Sequence, residues 1–230
     1  RILHWEVRNE VNIAPTATRA FFWSGTKQQL ADEVKACNQT IKAIIPSALI
    51  LAPSCVGWGT LGGGNDPTVY TPAMLTQAVS GGGSVLSDWI DWMTVHLYYL
   101  ANAPSIIPTM VARVRAAMAT AGISSMPLID SESGILDTQY TSYTDARYLK
   151  NMLRHTVLCA TQGMVGSVWY AYDGAAGSIG FMRRDPTIAT QYLALIRQLS
   201  GATIAKLVQV SDGTLVGQYT KGATSGTIYL

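Results

Sequence analysis

The sequence predicts an α/β fold of parallel strands joined by crossover helices, followed by the start of a small antiparallel β module. Three observations carry this expectation. Short apolar runs of strand length alternate with longer stretches of helical periodicity over residues 1–201. After Gly201 the pattern changes to two β-type runs flanking Ser211-Asp212-Gly213-Thr214, a hairpin signal through its Asp-Gly pair. Hydrophobic residues make up 48% of the chain and charged residues 13%, which suits a folded core rather than disorder.

Taken in order, residues 2–7 read as the first strand, and Leu30, Val34, Cys37, Ile41 and Ile44 share one face of the helix that follows. Residues 48–52 form the second strand. Residues 72–79 read as a weaker helix, followed by the flexible run Gly81-Gly82-Gly83. Residues 92–97 are the third strand, and Ile107, Val111, Val114 and Met118 mark its helix. Residues 126–130 and 166–170 complete the set of strands. The stripe Leu149, Met152, Leu153, Val157 lies between them, and the stripe Ile188, Tyr192, Leu195, Leu199 follows. Residues 205–210 and 215–220 form the hairpin, and 227–230 begin another strand. The expected division is a domain at 1–201 and a β-rich module at 202–230. Strict alternation implies parallel strands with crossover helices, in either an open doubly wound sheet or part of a barrel. No GxGxxG follows the first strand, so a dinucleotide fold has little support. Gly62-Gly63-Gly64 lacks the Lys-Ser/Thr of a phosphate cradle and reads as plain flexibility.

Composition excludes several functions. A formal charge of +2 with no Lys/Arg cluster leaves no footprint for nucleic acid. No apolar run approaches the ~18 residues a membrane span needs. Cys37, Cys55 and Cys159 have neither CxxC spacing nor nearby His pairs, so no metal site is expected. Cys37 and Cys159 fall on apolar stripes as buried thiols; Cys55 is either free or paired with a cysteine outside this chain. Abundant Ser, Thr, Gly and Tyr beside scarce Lys and Glu point to an extracellular, secreted protein.

Glu occurs only at positions 6, 10, 33 and 132. Glu33 lies on a polar helix face as a solvated charge. Glu6, inside the first strand, is expected to pair within the core, with Arg8 as the nearest candidate. Glu10 and Glu132 each sit just past a predicted strand end, in Trp5-Glu6-Val7-Arg8-Asn9-Glu10-Val11-Asn12 and Pro127-Leu128-Ile129-Asp130-Ser131-Glu132-Ser133-Gly134.

The first segment resembles the strand-four signature W-E-x-x-N-E-P-N of clan A glycoside hydrolases, and the second their strand-seven motif, an apolar run ending in T/S-E-x-G. His96-Leu97-Tyr98, at a predicted strand end, is similar to the H-x-Y of strand six, and Trp169 to the strand-eight Trp. The motifs occur in family order over residues 1–201, with families thirty-nine and five the nearest in flavour. The resemblance implies a (β/α)8 TIM barrel of which this chain carries strands four to eight. Active groups of such barrels sit on the loops beyond the strand C-termini.

What it implies chemically is a retaining glycosidase working on a poly- or oligosaccharide without cofactor. Glu132 attacks the anomeric carbon; Glu10 protonates the leaving oxygen and later deprotonates water. By the same resemblance Asn9 binds the sugar 2-hydroxyl, Tyr98 holds the nucleophile and His96 lines the pocket. Trp169 offers an apolar platform, although ordinary barrel filling would also account for it. Taken alone, His96 would read as a core histidine. Trp58, Trp89 and Trp92 carry no motif and read as packing; Asp130 and Asp173 read as structural hydrogen-bonding groups, and His4 and His155 have no evident partners. Val11 replaces the usual Pro, and Arg8 an apolar residue, which bears on substrate more than on reaction. The rival reading is a non-catalytic carbohydrate-binding or structural barrel in an extracellular assembly. Five strands would leave a barrel open, so the expected partners are a carbohydrate and the missing N-terminal half of the barrel, on the same polypeptide or a second chain.

Overall fold

The computed structural model describes residues 2–13, 22–59, 65–100, 104–136, 145–169, 186–210 and 214–229. Gly62-Gly63-Gly64, Asp173, Tyr170 and the hairpin turn at 211–213 lie outside them. The chain divides into two compact units, one of Arg1–Tyr98 with Thr109–Glu132, the other of Tyr99–Pro108 with Ser133–Leu230.

In the first unit, β1 (His4–Glu6) pairs in parallel with β2 (Leu49–Leu51), His4 opposite Leu49 and Glu6 opposite Leu51. The crossover between them is α1 (Lys27–Ile44). A capping box starts α1: Thr26 accepts from the Gln29 amide while the Gln29 side chain accepts from the Thr26 amide, an arrangement worth about 1 kcal/mol. Leu30, Ala31 and Val34 are its buried stripe. Cys37, expected to be buried, is half-buried, because it lies toward the edge of that stripe.

A parallel bridge joins Leu51 to Trp92 at the entry to β3 (Met93–Leu100). Asp91 fixes this junction by accepting from the Ile50 amide at 2.7 Å and from Lys42 Nζ at 2.8 Å. His4 packs its ring 5.0 Å from that of Trp92. The weak helix lies earlier than its apolar pattern indicated. It is α2 (Pro67–Leu75), with Asp66 capping the Thr68 amide and Pro67 in the first turn, and Pro72 falls inside it. Asp-Pro is a stronger start than a lone Pro, because it supplies both an acceptor and a preset φ. The residues after α2 form a tight turn, closed by Val79 N–H donating to Ser84 O at 3.0 Å. Gly81, Gly82 and Gly83 all take positive φ there, a conformation glycine adopts without strain.

From β3 the chain passes through α3 (Ile107–Thr120) to β4 (Leu128–Leu136). Both strands run beyond their expected ends, at 97 and 130. His96-Leu97-Tyr98 therefore sits inside a strand rather than at its end, and Glu132 inside a strand rather than just past one. Tyr99 and Leu100 are strand formers, and Ser131, Ser133 and Gly134 are carried along in a sheet whose order is β3-β4-β5.

In the second unit, α4 (Asp145–Thr161) precedes β5 (Gly166–Trp169), and α5 (Pro186–Leu199) follows it. Ser133 Oγ donates to Val168 O at 3.0 Å, and the hydroxyls of Thr156 and Tyr192 meet at 2.9 Å between the two helices. The last three strands, β6 (Thr203–Gln209), β7 (Leu215–Lys221) and β8 (Thr224–Tyr229), form an antiparallel meander. β8 starts three residues earlier than its apolar pattern indicated, because Gly222, at φ 58°, makes a tight turn possible. The architecture is thus parallel β/α units followed by a small antiparallel sheet.

Candidate active site

The loop after β1 carries Asn9 and Glu10 into the first unit on a backbone of unusual shape. Arg8 and Glu10 both have positive φ, 73° and 44°. For residues with a Cβ this conformation is uncommon and costs on the order of 1 kcal/mol or more. It is held from outside. Ser54 Oγ accepts from the Glu10 amide at 3.1 Å, Ser54 O accepts from the Val11 amide at 3.1 Å, and Ser54 N–H donates to Arg8 O at 3.3 Å. Asn12 is 2% exposed. It donates to Val56 O at 2.8 Å and Asn65 O at 3.0 Å and accepts from the Val56 amide at 3.0 Å. Ser54 and Asn12 thus clamp the segment bearing Glu10. Neither was singled out from sequence, although Asn12 is the final residue of the W-E-x-x-N-E-P-N pattern and could have been.

β3 presents His96 and Tyr98 on one face, since side chains two apart along a strand point the same way. His96 is 1% exposed and its backbone N–H donates to Cys55 O at 3.1 Å. Nδ1 of its ring lies 3.0 Å from Glu10 Oε1 and Nε2 lies 3.6 Å from Glu6 Oε1. Burial acts to lower the affinity of the ring for a proton. The hydrogen bond to Glu10, the ionic contact with Glu6 and the nearby Glu132 charge outweigh it, so the His96 pKa is pushed up to about 9. Tyr98 Oη donates to Glu132 Oε1 at 2.5 Å. Oxygens of Glu10 and Glu132 and a ring nitrogen of His96 all lie within 4.8 Å of one another. Such donors can hold a metal, but a histidine carrying a proton on the nitrogen that faces Glu10 has no lone pair there to give.

Two pairings differ from expectation. Arg8 turns to Glu33 on α1, at 2.8 Å, with its guanidinium 5.3 Å from the Trp23 ring. Glu33 is therefore ion-paired, and Glu6 faces His96 instead of Arg8. The reason is geometric: the positive φ at Arg8 turns its side chain away from the face that Glu6 occupies. Asp130, fully buried, accepts from the Leu97 amide at 3.2 Å, a structural bond as expected. Cys55 is a free, fully buried thiol, and burial pushes its pKa up to about 12. Trp58 is buried and donates to Cys55 O, in keeping with packing.

The structure therefore brings Glu10, Glu132, His96 and Tyr98 together in the first unit. Asn9 is half-buried on the same loop as Glu10. Trp169 belongs to the second unit. It is half-buried there, with its ring edge-on to His155 at 5.5 Å, and His155 in turn stacks on Tyr99 at 5.6 Å.

No protein-family profile matches the chain, and no curated protein matches it in sequence. Solved structures do match in fold. A glucosidase from Croceicoccus marinus superposes with a TM-score of 0.61 at 15% identity, over 95% of this chain and 48% of its own. A glycoside hydrolase family 30 subfamily 8 xylanase from Clostridium acetobutylicum gives 0.56 at 15% identity, over 99% and 50%. A monomeric β-xylosidase from Caulobacter crescentus gives 0.51 at 18% identity, over 93% and 46%. These neighbours are TIM-barrel glycosidases, and the fold here is a portion of such a barrel followed by a small antiparallel sheet. The chain spans about half the length of the structures it matches.

Proposed function

We propose that this polypeptide is part of a secreted retaining glycoside hydrolase acting on a poly- or oligosaccharide, with Glu132 as nucleophile and Glu10 as acid/base. The observation that carries the reading is the approach of the two carboxylates, with oxygens of Glu10 and Glu132 within 4.8 Å. Retaining enzymes need carboxyl groups ~5–5.5 Å apart, because one attacks the anomeric carbon directly, whereas inverting enzymes hold theirs ~6.5–9.5 Å apart to admit a water. The short bond from Tyr98 supports the assignment of roles, since it orients Oε1 of Glu132 and leaves the other oxygen to attack.

In the first half-reaction Oε2 of Glu132 bonds to the anomeric carbon while the glycosidic bond breaks and Glu10 gives its proton to the leaving oxygen. In the second, Glu10 takes a proton from water as that water attacks the same carbon and Glu132 departs as carboxylate. Asn9 is assigned to the sugar 2-hydroxyl, where a hydrogen bond strengthens as positive charge develops on the ring, and Trp169 to an apolar sugar face. Residues 1–201 are the barrel portion in this reading and 202–230 the following β module. A panel of aryl glycosides offered to the whole protein tests it. Hydrolysis in which proton NMR finds the first-formed sugar with the configuration of the substrate is the expected result. The inverted anomer, or no hydrolysis across the panel, would count against it.

A further inference from the structure

The ring of His96 has a carboxylate oxygen facing each nitrogen, Glu10 Oε1 at Nδ1 and Glu6 Oε1 at Nε2. A neutral imidazole has one N–H and one lone pair, whereas an ionised carboxylate only accepts. Glu10 Oε1 accepts whether or not Oε2 carries a proton, and an ionised Glu6 accepts likewise, so both are matched by a ring with a proton on each nitrogen. Besides these, His96 is faced by Glu132 on β4, by Tyr98, whose ring centroid is 6.5 Å away, and by the Cys55 segment that binds its amide. The Cys55 thiol, raised by burial, stays uncharged at neutral pH. Arg8 is paired with Glu33. Among the described residues, His96 is therefore the only ion-pair partner of Glu6.

We propose that Glu6 is a positioning residue for Glu10: it holds His96 with both ring nitrogens protonated, so that Nδ1–H fixes Glu10 Oε1 and leaves Oε2 to face the reacting oxygen. The proposal rests on the reading of Glu10 as acid/base. The ring protons are not consumed. The proton that moves leaves Oε2 of Glu10 for the leaving oxygen and is restored to Oε2 by the attacking water, while His96 ends each turnover as it began. The raised pKa of His96, about 9, keeps the ring charged across neutral pH.

Nitrogen-detected NMR of the 15N-histidine-labelled whole protein tests this, with Glu6→Gln as the variant. In the unaltered protein both His96 nitrogens should carry protons at about pH 7.5. Glu6→Gln should lower the His96 midpoint by about one pH unit or more, roughly a ten-fold loss of proton affinity. The alkaline limb of kcat/KM on an aryl glycoside should move down with it, while KM changes little. Glu33→Gln, which removes the same charge from α1, should move neither. A neutral His96 at about pH 7.5, or a midpoint in Glu6→Gln unchanged within about 0.3 unit, overturns the proposal. Should Glu6→Gln fail to fold, the protonation state in the unaltered protein and the midpoint in Glu6→Ala decide the matter by the same limits. Glycoside hydrolysis with an unmoved midpoint sinks this inference alone. A shifted midpoint without any hydrolysis sinks the glycosidase reading and leaves the Glu6–His96 coupling standing.

Discussion

Tyr98 and Glu132 face each other from β3 and β4, the phenol donating to Oε1 of the carboxylate at 2.5 Å. A hydrogen bond to a charged acceptor is worth about 1.5–3 kcal/mol, and here it also fixes the direction in which the second carboxylate oxygen points. Removing the hydroxyl with Tyr98→Phe should lower kcat/KM by about ten- to a hundred-fold, and thermal melting should show the fold retained. A variant with unaltered kinetics would leave the phenol without a role in orienting Glu132.

The two glutamates should respond differently to substitution. Glu132→Gln should abolish turnover of activated aryl glycosides, because no glycosyl-enzyme can form. Glu10→Ala should still accept substrates with good leaving groups, and added azide should restore turnover as a glycosyl azide of retained configuration. Azide rescue of the Glu132 variant with retained configuration, and none of the Glu10 variant, would reverse the assignment.

Stability should fall as pH rises through the titration of His96. Its pKa is raised in the folded protein to about 9 from the ordinary 6.5, so the folded state binds more protons than the unfolded state between those values. The contribution, on the order of 3 kcal/mol, is complete below about pH 6.5 and lost as pH climbs through about 9. Denaturant melts of the whole protein at about pH 6 and pH 9.5 should differ in this direction, and His96→Gln should flatten the difference.

Much of this site can be read in the sequence, because Glu is scarce and both proposed catalytic residues sit in patterned segments beside strand-like runs. His96 and Tyr98 are readable for a simple reason: they are two residues apart, and a strand puts such residues on one face. Strand lengths are less visible. Ser131, Ser133 and Gly134 are turn-type residues that pairing with neighbouring strands overrides, so Glu132 lies inside β4 rather than beyond it. The partner of Glu6 is invisible for another reason. Arg8 is two residues away in sequence, but a positive φ turns it toward Glu33 on α1, and backbone conformations of that kind leave no compositional trace in a non-glycine residue. The Ser54 clamp is hidden likewise, being a contact between two loops with no shared pattern.

Asn12 gives a separate test of that clamp. Asn12→Ala would leave the amide of Val56 and the carbonyls of Val56 and Asn65 without the three bonds they now share with it. The expected loss is about 3 kcal/mol, seen as a lower denaturant midpoint at unchanged slope. kcat should fall as well, because the strained Glu10 backbone is two residues away.

Covalent bonding of Glu132 to the sugar can be tested by peptide mapping with mass spectrometry after incubation with 2-deoxy-2-fluoro glycosides bearing a good leaving group. The fluorine slows both half-reactions, while the leaving group keeps the first fast enough for the intermediate to accumulate. A single glycosyl adduct is expected on the peptide containing Glu132, at that residue. An adduct on Glu10 or on any other side chain, or steady turnover that releases the inverted sugar with no adduct, would contradict it.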